Sequence, residues 1–179
     1  MIAARLEKGY VQVYTGNSKG KTTAALGLAF RAMGCGLRTY IGQFMKGSPS
    51  SELVSAGMVS EFITIEQFGR GTLFSSLNPP TADDVRLAKV GIKRIKAAMY
   101  SGEYSIVILD EINTAIFFKL VELKDVLELI MEKPGHVELV LTGRNAPAEL
   151  IQEADLVTEM VEIKHYYQKG VLPREGIER

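Results

Sequence analysis

One cysteine and two histidines are all that this 179-residue chain offers in thiol and imidazole chemistry, and its charges cancel to a net of zero. The lone Cys35 has no partner for an internal disulfide. Flanked by Gly34 and Gly36 at an expected helix end, it reads as a buried or capping residue rather than a reactive thiol. His136 and His165 stand apart from other ligands at useful spacing, so no histidine metal cluster is expected. With 21 Lys plus Arg against 21 Asp plus Glu, no global field draws the chain to nucleic acid or to an anionic membrane. Its apolar runs, such as Ser105–Leu109 and Leu139–Leu141, are of strand length and far short of a membrane span. Residues 1–9 carry Arg5, Glu7 and Lys8 and lack the apolar core of a signal peptide. The expectation is a single cytoplasmic domain over residues 1–179.

What is present begins near the N-terminus. Val11 and Val13 form a short β-rich run, followed by Thr15-Gly16-Asn17-Ser18-Lys19-Gly20-Lys21-Thr22-Thr23 and an apolar helical stretch to Phe30. This order of strand, glycine-rich loop and helix start brings backbone N–H groups and a positive helix end to one anion. Gly16 and Gly20 let the backbone turn, Lys21 reaches the β- and γ-phosphates, and the Thr22 hydroxyl is a ligand for Mg²⁺. The usual pattern has glycine five residues before Gly20. Here that position is Thr15 and the first glycine has slid to Gly16. The physical device survives the shift, and the chain is read as binding a nucleoside triphosphate or a close analogue.

Strand and helix signals then alternate. Strands are expected at Arg38–Phe44, Phe62–Gln67, Ser105–Asp110, Glu138–Thr142 and Leu156–Val161. Helices are expected at Glu52–Gly57, from a Thr81 cap to Ser101, and over Glu111–Phe118, Lys124–Glu132 and Pro147–Ala154. Ser105–Asp110 has the continuous apolar character of a buried parallel strand. The pattern predicts an α/β fold, an open parallel sheet with helices on both faces. The long irregular stretch Gly69–Pro80 and the tail after Glu162 have neither period.

Asp110 and Glu111 end an apolar strand whose tip, in a parallel sheet, lies beside the phosphate loop. Asp110 is expected to hold Mg²⁺ directly or through water. Glu111 has two readings: polarising a water in an ATPase, or helping to hold the metal in a transferase. Arg144, after Thr142-Gly143, suits either a phosphate or carboxylate clamp or a solvated strand end. His165 reads as a base, a ligand or a structural histidine. Gln67-Phe68-Gly69-Arg70-Gly71-Thr72-Leu73-Phe74 fits a mobile flap over a flat ligand and fits a plain surface loop equally well.

Together the pieces resemble the P-loop ATP:corrinoid adenosyltransferases, which act on cob(I)alamin and cob(I)yrinic acid a,c-diamide. The matching residues are Tyr14–Ala25, Gln43–Gly47, Ile108–Ile112, Pro134–His136, Leu141–Arg144, Ala154–Glu159, Lys164-His165 and Gly176–Glu178. Three features depart from the family pattern. Ser18 replaces a common glycine, only a short segment precedes the first strand where some members have a long helix over the partner's site, and there is no tryptophan for the flap. The resemblance implies a P-loop NTPase-type, RecA-like sheet, a homodimer, and ATP and a reduced corrinoid as substrates. It also implies Mg²⁺ as cofactor and a reductase or flavoprotein as electron donor. Lys21, Thr22 and Glu111 become the expected catalytic residues. Residues 16–23 and Arg144 are then expected to bind the nucleotide, Phe68 and Phe74 to face the corrin, and Thr22, Asp110 and Glu111 to surround the metal. The rival readings are a water-activating RecA-like ATPase, a non-enzymatic nucleotide- or corrinoid-binding switch and, more weakly, a small-molecule kinase.

Overall fold

Apolar side chains on alternate sides of the central strands give the sheet two buried faces. The computed structural model describes residues 5–72, 74–75 and 77–178. Its six strands are β1 (Val11–Thr15), β2 (Thr39–Phe44), β3 (Ile63–Phe68), β4 (Ile106–Asp110), β5 (Glu138–Thr142) and β6 (Leu156–Glu159). They pair in the order β3-β2-β4-β5-β1-β6, and every pairing is parallel. In β4, Val107 and Leu109 enter one core and Ile106 and Ile108 the other; in β5, Leu139 and Leu141 face away from Val140 in the same way.

The helices close both faces. On one side lie α1 (Lys21–Met33) and α2 (Ser51–Met58). Ala25, Ala29 and Ala32 let α1 pack close against Ile41, Ile108 and Val140. On the other side are α3 (Ala82–Tyr100), α4 (Ile112–Phe117), α5 (Leu123–Glu132) and α6 (Ala148–Glu153). Ile95, Met99, Ile112, Leu129 and Leu150 fill that core and are almost fully buried. Each such large aliphatic side chain contributes about 1.5–3 kcal/mol by leaving water.

The expected elements are present with small shifts that have local causes. Glu111 sits at φ 62, in the left-handed region, so α4 begins only after it. β6 is shorter than its apolar run because Met160 turns toward the phosphate loop, where its carbonyl accepts a hydrogen bond from the Ser18 N–H at 3.0 Å. It is also an exposed edge strand. Thr81 caps α3 as expected, within a reciprocal capping box with Asp84. Cys35 is exposed rather than buried; its N–H closes the last turn of α1 on Ala32 O at 2.9 Å, which fits the capping half of the expectation. The tail forms one short 3₁₀ turn, Tyr166–Lys169. No helix among the described residues is long and apolar enough to cross a membrane.

Candidate active site

The strand order gathers the site at the C-terminal ends of the sheet's central strands. β5 lies between β4 and β1, so its last residue, Thr142, falls between Asp110 and the loop after β1. β2 flanks β4 on the other side, and the register places Gln43 opposite Asp110.

The loop itself is held by the chain's far end. Gly16 and Gly20 have φ of 96° and 125°, which a side chain disfavours. A Cβ on Gly16 would lie 2.4 Å from Met160 O, so this glycine makes room for the strand-end backbone beside it. Lys21 is buried, and its Nζ donates to Gly16 O and Ser18 O at 2.7 Å each, bracing the loop from within. Burial lowers its pKa, with Glu111 acting in the opposite sense. The first turn of α1 has no side-chain cap and no acidic residue, which leaves its amides open to an anion. Asn17, Lys19 and Thr23 are exposed around it.

Asp110 is the hub. Its Oδ1 accepts from Thr22 Oγ1 at 2.8 Å and Thr142 Oγ1 at 2.7 Å. Its Oδ2 accepts from Gln43 Nε2 at 3.1 Å and Lys46 Nζ at 3.0 Å. The carboxyl is thus saturated with donors although only 1% exposed, which is how a buried charge is tolerated. Lys46 also reaches Glu52 Oε1 at 3.2 Å. Burial works against its charge, but Asp110 and Glu52 outweigh it and raise its pKa above the ordinary lysine value. Glu52, against its own desolvation, is held below the usual carboxylate value by a backbone hydrogen bond and by Lys46.

Glu111 is braced separately. Its N–H donates to Thr142 Oγ1 at 3.0 Å, and its Oε2 accepts from Thr114 Oγ1 at 2.7 Å. The Arg144 N–H donates to the same Thr114 hydroxyl at 3.0 Å. Thr114 thereby ties the expected acid and the expected arginine to one anchor.

Two cavities meet over these residues. One, of about 750 Å³, is lined by the phosphate loop, the outer face of α1, His165 and Gly176–Glu178. The other, of about 1030 Å³, is lined by Phe74, Phe117, Phe118, Thr72 and Gln67 among others. Lys46, Ser51, Glu52, Glu111, Arg144 and Glu178 belong to both walls. Glu178 is fixed by Arg174 and by the Tyr166 hydroxyl, which hold its carboxyl down to about 2.

Most of the expected site residues converge here, and one does not. Phe74 lines the second cavity and packs on Phe118 with ring centroids 5.8 Å apart. Phe68 ends β3 with 6% exposure, its ring 6.0 Å from that of Phe44 and filling the space over Gly91. It belongs to the core, so its expected place against a ligand face is corrected. Leu73 of the expected flap lies outside the described residues. His165 lines the first cavity while its Nδ1 accepts from the Tyr167 N–H at 3.1 Å. Gln43, Lys46 and Glu52 went without a role in the sequence reading. The available signal for the first two is the pair Gln43 and Lys46, at the end of β2 and just past it.

A parallel sheet with a phosphate loop after β1 and a buried aspartate at the tip of β4 defines a P-loop nucleotide-binding protein of RecA-like architecture. A KaiC-like protein from Pyrococcus horikoshii OT3 shares this fold, with a TM-score of 0.54 and 17% identity over 88% of this chain and 75% of that one. The family model for ATP:corrinoid adenosyltransferase BtuR/CobO/CobP matches residues 7–179, and the chain belongs to that family. Similar proteins include the corrinoid adenosyltransferase of Sinorhizobium sp, 38% identical over 96% of this chain and 81% of that protein. That of Pseudomonas aeruginosa is 33% identical over 98% and 86%. The enzyme is a transferase that adenosylates corrinoids, with ATP and a corrinoid as its substrates.

Proposed function

We propose that the first cavity holds ATP, the second holds a corrinoid reduced to Co(I), and the 5′-deoxyadenosyl group crosses between them. The observation that carries this reading is the shared wall: a phosphate-binding cavity and an aromatic-lined one adjoin along six common residues. The cobalt electron pair forms the Co–C bond to the 5′-carbon. The C5′–O5′ bond breaks, and its electron pair leaves on tripolyphosphate. No proton is removed from a nucleophile, so no general base is needed. The protein's part is to align the two reactants and to meet the growing charge on the leaving group.

Named side chains have definite tasks in this scheme. The amides at the start of α1, with Lys21 bracing the loop, receive the polyphosphate. Glu111 and Arg144, fixed by Thr114, orient the substrates at the junction. Phe74, backed by Phe118, gives the second cavity an apolar face that keeps water from the reacting cobalt. The Thr22 hydroxyl oxygen, whose proton goes to Asp110, and the Glu111 carboxylate would hold Mg²⁺. Asp110, both of whose oxygens already accept donors, would engage it through water, and such a hard ion completes its shell with phosphate and water. Bound there, the ion would neutralise triphosphate charge. The same reading takes a cytoplasmic homodimer supplied with Co(I) by a reductase or flavoprotein.

Product identity tests the reading. Anaerobic incubation with ATP, Mg²⁺ and chemically reduced cob(I)alamin is expected to give a light-labile adenosylated corrinoid and an equimolar amount of tripolyphosphate. ADP and orthophosphate without adenosylated corrinoid would make the protein a hydrolase with Glu111 as its water activator.

A further inference from the structure

Chain geometry at the end of β2 is committed to one side chain. Met45 sits at φ 63, a conformation costly for a residue with a Cβ. The turn is locked from beneath. A Cβ on Gly47 would lie 2.1 Å from Gly69 O, and one on Gly69 would lie 2.5 Å from the Met45 carbonyl carbon. The Gly71 N–H donates to Met45 O at 3.2 Å. The product of this interlock is Lys46, turned back over the strand ends between Asp110 and Glu52.

Three lysines, Lys19, Lys21 and Lys46, line the first cavity, and of these Lys46 alone also lines the second. Lys21 has its ammonium bonded to the carbonyls of its own loop. Lys46 stands beside the carboxylate that also accepts from Thr22, with its side chain 30% exposed and on the wall of both cavities. An ammonium has three donor directions, and two carboxylates take up two of them. We infer that Lys46 is a catalytic residue of the transfer, donating to the triphosphate oxygens at the cavity junction and stabilising the charge that the leaving group gains. Asp110 and Glu52 are its positioning residues. This rests on the reading of the reaction given above.

The test compares the wild-type protein with Lys46→Gln and Lys46→Arg in the anaerobic assay, alongside thermal unfolding and Mn²⁺ binding in the presence of ATP. Lys46→Gln is expected to lower kcat by about 100-fold, the loss that follows removal of one preorganised donor to developing negative charge. Its ATP and Mn²⁺ affinities should stay within about tenfold of the wild type, while Lys46→Arg recovers a good part of the rate by restoring charge. A Lys46→Gln rate within about threefold of wild type overturns the inference, as does a Mn²⁺ affinity that falls in step with kcat, because Lys46 would then act only through Asp110. An arginine variant that folds but is no faster than the glutamine variant overturns it too. Absence of adenosylated corrinoid from the wild-type reaction would instead overturn the reaction itself.

Discussion

Thr142 shows how much a single hydroxyl holds in this site. It is fully buried, donates to Asp110 and accepts from the Glu111 N–H, so it fixes the expected metal ligand and its neighbour together. Thr142→Val keeps the shape and removes both bonds. The Glu111 amide and one Asp110 lone pair then lose a partner, at a cost of about 1–3 kcal/mol. Chemical denaturation should show that loss, and nucleotide titration should show weaker binding of ATP. Gly47 makes a second residue-scale case. Gly47→Ala cannot fit without moving the Gly69 backbone, and overpacking of this kind costs about 1–3 kcal/mol. Adenosylation should fall further than stability alone explains, because the same shift displaces Lys46. A variant as stable and as active as the wild type would contradict the interlock.

At the scale of elements, the segment between β3 and α3 is tied at its neck. Arg70 Nε and Nη2 donate to the two oxygens of Asp84 at 2.9 and 2.8 Å, and Nη2 also donates to Thr81 Oγ1 at 2.9 Å. The cap of α3 and the anchor of the loop are thus one cluster. Thr81→Ala removes the cap and should cost about 0.5–2 kcal/mol in a denaturant titration. Acid dependence follows from the same cluster. Hydrogen bonds from Arg70 hold the Asp84 carboxyl well below the usual carboxylate range, whereas in the unfolded chain it titrates near 3.9. At intermediate pH the unfolded chain binds the extra proton, so this stabilisation is complete above that value and is lost as pH falls toward the folded pKa. Asp84→Asn should therefore flatten the acid limb of the stability curve below about pH 4 relative to wild type. The strands were readable because period and apolar content mark them: Glu138–Thr142 needed no adjustment at either end. The first residue of α4 was not readable, since nothing local announces that Glu111 adopts a left-handed conformation. Phe68 was misread for a related reason. An aromatic beside glycines suggests a loop, but the sheet register carries β3 through Phe68 before the chain turns.

For the molecule as a whole, the core and the site draw on different stretches of chain. The buried apolar residues among those described end with Leu150, while Gly176–Glu178 line the first cavity. A chain stopped after Ile163 keeps every strand and Met160. It should unfold at nearly the same temperature yet bind an ATP analogue about tenfold more weakly, a change of about 1.4 kcal/mol. Thermal unfolding and nucleotide titration separate these effects, and unchanged nucleotide affinity would remove the tail from the site. Sequence alone exposed the motif Gly176-Ile177-Glu178 only through resemblance, because without periodicity nothing in the tail tells where it folds.

The bond from Ser18 to Met160 carries an implication for the timing of synthesis. β1 and its phosphate loop leave the ribosome early, but both strands that flank β1 and the carbonyl that steadies its loop come near the other end. At about 5–20 residues per second, the loop waits on the order of ten seconds before its scaffold exists. On that schedule nucleotide is not expected to template the first half of the nascent chain. Binding competence is expected late, once translation has delivered residues 138–160, and the tail that lines the first cavity follows later still.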